Sequence, residues 1–141
     1  MYDTILAAID DSESARETLA YAIGLADRLD ASLHVLTVVD ASRNPMKFGV
    51  DDVDDLNRAA ATLRETVEAV GADADVDLEV ELRRGRPDER ILEYADAIDA
   101  GLILVGRRGE SDLPTAILGS TTDRLVRRSP VPVAIVPDDD E

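Results

Sequence analysis

Cysteine and tryptophan are absent from this chain, lysine and histidine occur once each (Lys47 and His34), and aromatic residues make up only 3% of its 141 residues. Without cysteine there is no disulfide, no thiolate metal site and no cysteine nucleophile. No apolar stretch approaches the ~20 residues that span a bilayer, so no membrane association is expected. The opening "MYDTILAAIDD" has no basic region ahead of its apolar run, and a secretory signal is not expected. The lysine of a P-loop is missing, as is a G-x-G-x-x-G after the first apolar run, which argues against a Rossmann dehydrogenase. These absences leave a cytoplasmic protein with a single domain over residues 1–141, of which 137–141 form an acidic tail.

Acid dominates what is present. Thirty-one Asp and Glu face 15 Lys and Arg, for a formal net charge of −16. Such a balance disfavours nucleic acid as a partner. It suits a disordered acidic chain, a partner-binding acidic surface, or a fold adapted to concentrated salt, as in extreme halophiles. Hydrophobic residues amount to 45% and fall in periodic runs, which argues against disorder. Salt adaptation is the preferred reading, because at ~1 M salt the Debye length is about 3 Å and self-repulsion costs little.

The apolar runs "TILAAI" (4–9), "SLHVLTVV" (32–39) and "GLILVG" (101–106) read as buried strands. "VDLEVELR" (76–83) alternates like a half-exposed strand, and "VPVAIVP" (131–137) reads as an edge strand because Pro132 cannot donate to a ladder. Between them, Ala15 to Leu29 and Leu56 to Val70 recur at helical spacing, Ser14 and Glu17 fit a capping box, and Gly71 ends the second helix. A third helix follows Pro87, and a short one covers Thr121–Arg128. The alternating order implies a single-domain α/β fold: an open parallel five-stranded sheet with helices on both faces.

In such sheets ligands bind beyond the carboxyl ends of the strands. There stand Asp10 and Asp11, then Val38 to Asp40, then Arg83, Arg84 and Arg86 after the third strand, and Gly106 to Gly109 after the fourth. Five arginines along one edge suggest an anion site. In "GRRGESDLPTAILGST" (106–121), Gly106 lets a ligand lie on the backbone and Gly109 can take positive φ. Gly119, Ser120 and Thr121 open the last helix, whose free N–H groups suit phosphate oxygens. The same glycines also serve an ordinary turn, with Ser120 as an N-cap. His34 lies far from this edge and reads as structural. Met46 and Phe48 either cover a bound base or pack as loop residues.

Over essentially its full length the chain resembles the universal stress protein family. The resemblance rests on "AAIDDSESA", "LTVVD", the "GRP" turn at 85–87 and, above all, Gly106-x2-Gly109-x9-Gly119-Ser120, the pattern of the ATP-binding branch. It implies a Rossmann-like fold of the adenine-nucleotide alpha-hydrolase type with strand order 3-2-1-4-5. It implies ATP as ligand, with Mg2+ recruited through the phosphates. Asp10 is expected on the ribose hydroxyls, Ile9 beside the adenine, and the Val38 backbone at the adenine edge. Gly106, Gly109, Gly119 and Ser120 are expected around the phosphates, with Thr121 at the helix entrance. Arg107 and Arg108 stand where relatives often carry a small polar residue and a histidine; Arg108 either adds a phosphate contact or points into solvent. A homodimer through the last strand, Val131–Val136, is also implied. The expected function is a nucleotide-binding stress-response regulator with little hydrolysis and no catalytic residues. The alternative is an interaction module of the same fold that dimerises without ligand. A receiver domain, with a similar element order, needs an aspartate after the third strand and a lysine after the fifth, and has neither here.

Overall fold

The computed structural model describes residues 3–10, 15–40, 50–71, 75–106 and 120–136. Strands and helices alternate along them: β1 (Thr4–Ala8), α1 (Ala15–Leu29), β2 (Ser32–Asp40), α2 (Val50–Gly71), β3 (Leu78–Gly85), α3 (Pro87–Ala97), β4 (Leu102–Gly106), α4 (Ser120–Arg128) and β5 (Val133–Val136). The strands form one five-stranded sheet in the order β3-β2-β1-β4-β5, as expected. Every pairing is parallel.

Strand alternation divides the core in two. Ile5, Ala7, Leu33, Val35 and Leu104 point to the face covered by α1 and α2, where they meet Leu19, Ala22, Ala26 and Leu63. Leu6, Leu36, Ile103 and Val105 point to the other face, against Ile91 and Ala95 of α3 and Leu125 of α4. Each central strand is therefore apolar on both sides, which is why it reads as an unbroken apolar run.

Three boundaries differ from the sequence expectation. α2 begins at Val50, six residues before Leu56, because its first turns are acidic and carry little apolar periodicity. Aspartates there suit the positive end of the helix dipole. β3 spans Leu78–Gly85 instead of 76–83, since its pairing with β2 continues to Asp40 opposite Gly85. Arg83 and Arg84 thus lie inside the strand and not beyond it. Val80, in the apolar phase of the alternation, remains 42% exposed because β3 is an edge strand. β5 is shorter than its apolar run, and Pro132 precedes it, accepting a hydrogen bond from the Ile103 N–H at 3.0 Å.

The turn from β3 into α3 needs its glycine. Gly85 has φ +144°, and a Cβ there would lie 2.5 Å from Arg90 Nε. That nitrogen donates to the Arg84 carbonyl at 3.2 Å, so the turn and the first turns of α3 are fastened together. The start of α3 is thereby fixed relative to the sheet. The proposed capping box falls partly on Ser14, outside the described residues.

Candidate functional site

Register brings most of the described candidates to one place. Ala8 is level with Leu36 on β2 and Val105 on β4. Ile9 and Gly106 therefore stand one residue further along, and Asp10 and Val38 two. The Ile9 N–H donates to Leu36 O at 2.9 Å, which extends the ladder past the end of β1. Ile9 is buried, while Asp10, Val38 and Gly106 are partly accessible. The chain leaves β1 toward β2 on one side, and β3 returns through α3 to β4 on the other. The carboxyl edge between β1 and β4 is thus the topological switch point, where open α/β sheets hold ligands.

α4 begins at the same edge. Ser120 is its first residue and Thr121 lies half-buried in the first turn. The residue that ties the helix to the sheet is Thr122, which the sequence reading passed over. It is buried, and its hydroxyl donates to the Gly106 carbonyl at 3.2 Å. The first-turn N–H groups of α4 are thereby set close to the end of β4, where they and the helix dipole favour an anion by ~0.3–2 kcal/mol. Only a hydroxyl within the first helical turn could have signalled this, and Thr121 and Thr122 offer the same one. Arg107, Arg108, Gly109, Gly119, Met46 and Phe48 lie outside the described residues, as does the side chain of Ser120.

Of the expected row of arginines, Arg83, Arg84 and Arg86 lie at the end of β3 and the start of α3, and Arg107 and Arg108 lie outside the described residues. β3 is separated from β4 by β2 and β1, three inter-strand spacings or roughly 14 Å. Arg83 pairs with Glu81 at 2.7 Å and lies over the Tyr94 ring, 5.3 Å from its centroid. Arg86 faces Asp88 at 4.0 Å and Glu89 at 3.6 Å. Both are engaged with acidic side chains of their own segments. His34 Nδ1 is 3.1 Å from the Tyr94 hydroxyl, on the β2–α3 side of the sheet. Burial raises the Tyr94 hydroxyl above its usual range, with Glu81 and Glu79 adding to this and Arg83 opposing it. The tyrosine therefore keeps its proton, and the pair packs β2 against α3. Among the described residues no three His, Asp or Glu side chains gather as metal ligands, and no helix is long and apolar enough to cross a membrane.

A model of the universal stress protein family matches residues 1–137. The chain belongs to the universal stress protein family. Among curated relatives, stress response protein NhaX of Bacillus subtilis is 30% identical, over 95% of this chain and 97% of NhaX. Universal stress protein Slr1230 of Synechocystis is 32% identical over 92% of this chain, which spans only 40% of that relative's length. A universal stress protein solved in complex with cAMP is 28% identical, with a TM-score of 0.72 over 96% of this chain and 97% of that one.

Proposed function

We propose that this universal stress protein binds ATP at the carboxyl edge between β1 and β4 and acts as a stress-response regulator or switch, with little hydrolysis. The observation that carries this reading is the convergence of Ile9, Asp10, Val38 and Gly106 on the first turn of α4, fastened by the Thr122–Gly106 hydrogen bond. A partly accessible carboxylate suits the ribose hydroxyls. The buried Ile9 offers apolar contact to a base, and the Val38 backbone offers it hydrogen bonds. Gly106, Gly109, Gly119 and Ser120 would hold the phosphates, with Thr121 beside them and Arg108 within the same loop. The cAMP complex of a similar universal stress protein supports an adenine nucleotide. Magnesium, when present, would supply charge neutralisation on the phosphate oxygens. The one histidine is engaged with Tyr94 on another part of the sheet, and the Asp10 carboxylate is assigned to the ribose hydroxyls, away from the phosphates.

Calorimetric titration with ATP, ADP and AMP in concentrated potassium chloride tests the reading. ATP should bind, and phosphate release with Mg2+ should stay far below typical enzyme rates of ~1–10³ per second. Absence of binding by all three nucleotides would favour the ligand-independent interaction module. Sustained turnover in the enzyme range would move the protein into a catalytic class.

We further propose a homodimer through β5. This strand ends the sheet, and its outer backbone groups can pair with a second copy, antiparallel about a two-fold axis. Because Pro132 O accepts from Ile103, the N–H groups of Val133 and Ile135 face away from β4. Val136 is only 5% exposed, so a charge there would disrupt the core and not the edge. Val133→Pro removes one outward donor and spares the ladder to β4. The variant should keep its helical circular dichroism and run as a monomer in light scattering. A folded, dimeric Val133→Pro protein would place the subunit contact elsewhere.

A further inference from the structure

We propose that Asp88 is a positioning residue for the nucleotide phosphates, acting through α4; the proposal rests on the reading of α4 as the phosphate-binding helix. Asp88 occupies the first turn of α3 and is fully buried, with 0% of its surface exposed. Three guanidinium groups surround it. Arg128 Nη1 donates to Asp88 Oδ2 at 3.3 Å. Arg124 Nη1 and Arg86 Nε each lie 4.0 Å from Oδ1, which has no hydrogen-bond partner.

Arg124 and Arg128 are four residues apart and share one face of α4. A single carboxylate on α3 therefore grips α4 at two successive turns. The grip matters because burial does little to hold this helix. Its sequence, STTDRLVRR, contains two apolar residues, of which Leu125 is fully buried and Val126 is 49% exposed. One leucine can anchor a nine-residue helix to the sheet but leaves its tilt and rotation poorly determined. Thr122 fixes the first turn at Gly106, and Asp88 fixes the face that carries Arg124 and Arg128. Together the three attachments aim the first-turn N–H groups.

A buried carboxylate among arginines is an inefficient way to stabilise a fold, since desolvation offsets much of the attraction. What it supplies here is direction. Asp88 is itself held in place: it sits at the positive end of the α3 dipole, three residues after Gly85, whose turn fixes where α3 starts. The sheet thus sets α3, α3 sets Asp88, and Asp88 sets α4. The carboxylate is buried, while the three arginines keep about half of their side-chain surface in solvent.

The experiment compares ATP with adenosine, which shares the base and ribose but offers α4 no phosphate. Asp88→Asn keeps the side-chain size and removes the charge. Calorimetry in concentrated potassium chloride should show ATP affinity falling about tenfold, with adenosine affinity held within about twofold. Arg124→Gln/Arg128→Gln, which releases the clamp from the other side, should give the same selective loss, and it carries the test if Asp88→Asn does not fold. A parallel loss of both ligands, or unchanged ATP affinity, would reduce Asp88 to a structural role and overturn the proposal. Tighter ATP binding by Asp88→Asn would also overturn it, showing that the arginines meet the phosphates directly and that Asp88 competes for them. If wild-type protein binds neither ligand, the nucleotide reading itself falls and takes this inference with it.

Discussion

Thermal melts across a potassium chloride series are expected to show a midpoint that falls steeply as salt is removed. The cause is the net charge of −16 on one small domain. Smeared over a sphere of about 18 Å radius, and compared with the expanded unfolded chain, that charge costs the folded state roughly 10 kcal/mol more at ~0.01 M salt than at ~1 M. Domains of this size are stable by only about 5–15 kcal/mol, so the expected loss is comparable to the whole. Local ion pairs do not offset it. Arg127–Asp123 and Arg90–Glu93 are exposed i,i+4 and i,i+3 pairs on single helices, a class worth about 0.5 kcal/mol each. Below ~0.1 M potassium chloride a substantial fraction of the chain should be unfolded at room temperature, read as lost helical circular dichroism and recovered on adding salt back. A midpoint that stays flat or rises as salt is withdrawn would end the reading of the acidic surface as salt adaptation.

Legibility in the sequence followed burial. The strands β1, β2 and β4 are apolar on both faces, so their runs stand out, and helical spacing marks the helices that pack on them. Edges and termini were harder to read. Val80 keeps its place in a period-two pattern although one side of β3 has no neighbouring strand to cover it. The acidic start of α2 carries little apolar periodicity. At the site, Ile9, Asp10, Val38 and Gly106 could be placed at one edge because strand ends and connection order determine which residues gather there. The contacts of α4 could not be placed. Thr122 reaches a carbonyl 16 residues earlier, and Arg128 reaches an aspartate 40 residues earlier. Asp88 after Pro87 reads as an ordinary first-turn acid until α4 is seen lying against it. Arg84 was placed beyond the third strand because the alternation fades there, although the pairing with β2 runs on to Gly85.

Replacing Gly119 with valine is expected to cost ATP affinity by roughly 10²-fold, or about 2.7 kcal/mol, with the domain still folded. The glycine spacing in the sequence and the start of α4 at Ser120 both lead to this expectation. Gly119 immediately precedes the helix, at the position from which the first free N–H groups are approached. A phosphate drawn onto those groups must come close to the backbone, and a β-branched side chain would occupy that approach. Stability should change far less, because the buried contacts of α4 are made by Leu125 and Thr122, inside the helix and on the side facing the sheet. A valine in place of glycine at the capping position weakens the helix start by about 1 kcal/mol, a modest shift in a melt. Gly119→Ala, with a single methyl group, should lose less ATP affinity than valine and so grade the effect by size. Adenosine separates the causes, since a blocked phosphate site leaves its affinity intact whereas a distorted cleft does not. Equal ATP affinity in wild type and Gly119→Val, measured calorimetrically in concentrated potassium chloride, would mean that the phosphates do not lie at the start of α4, and the glycine spacing would then describe only a turn.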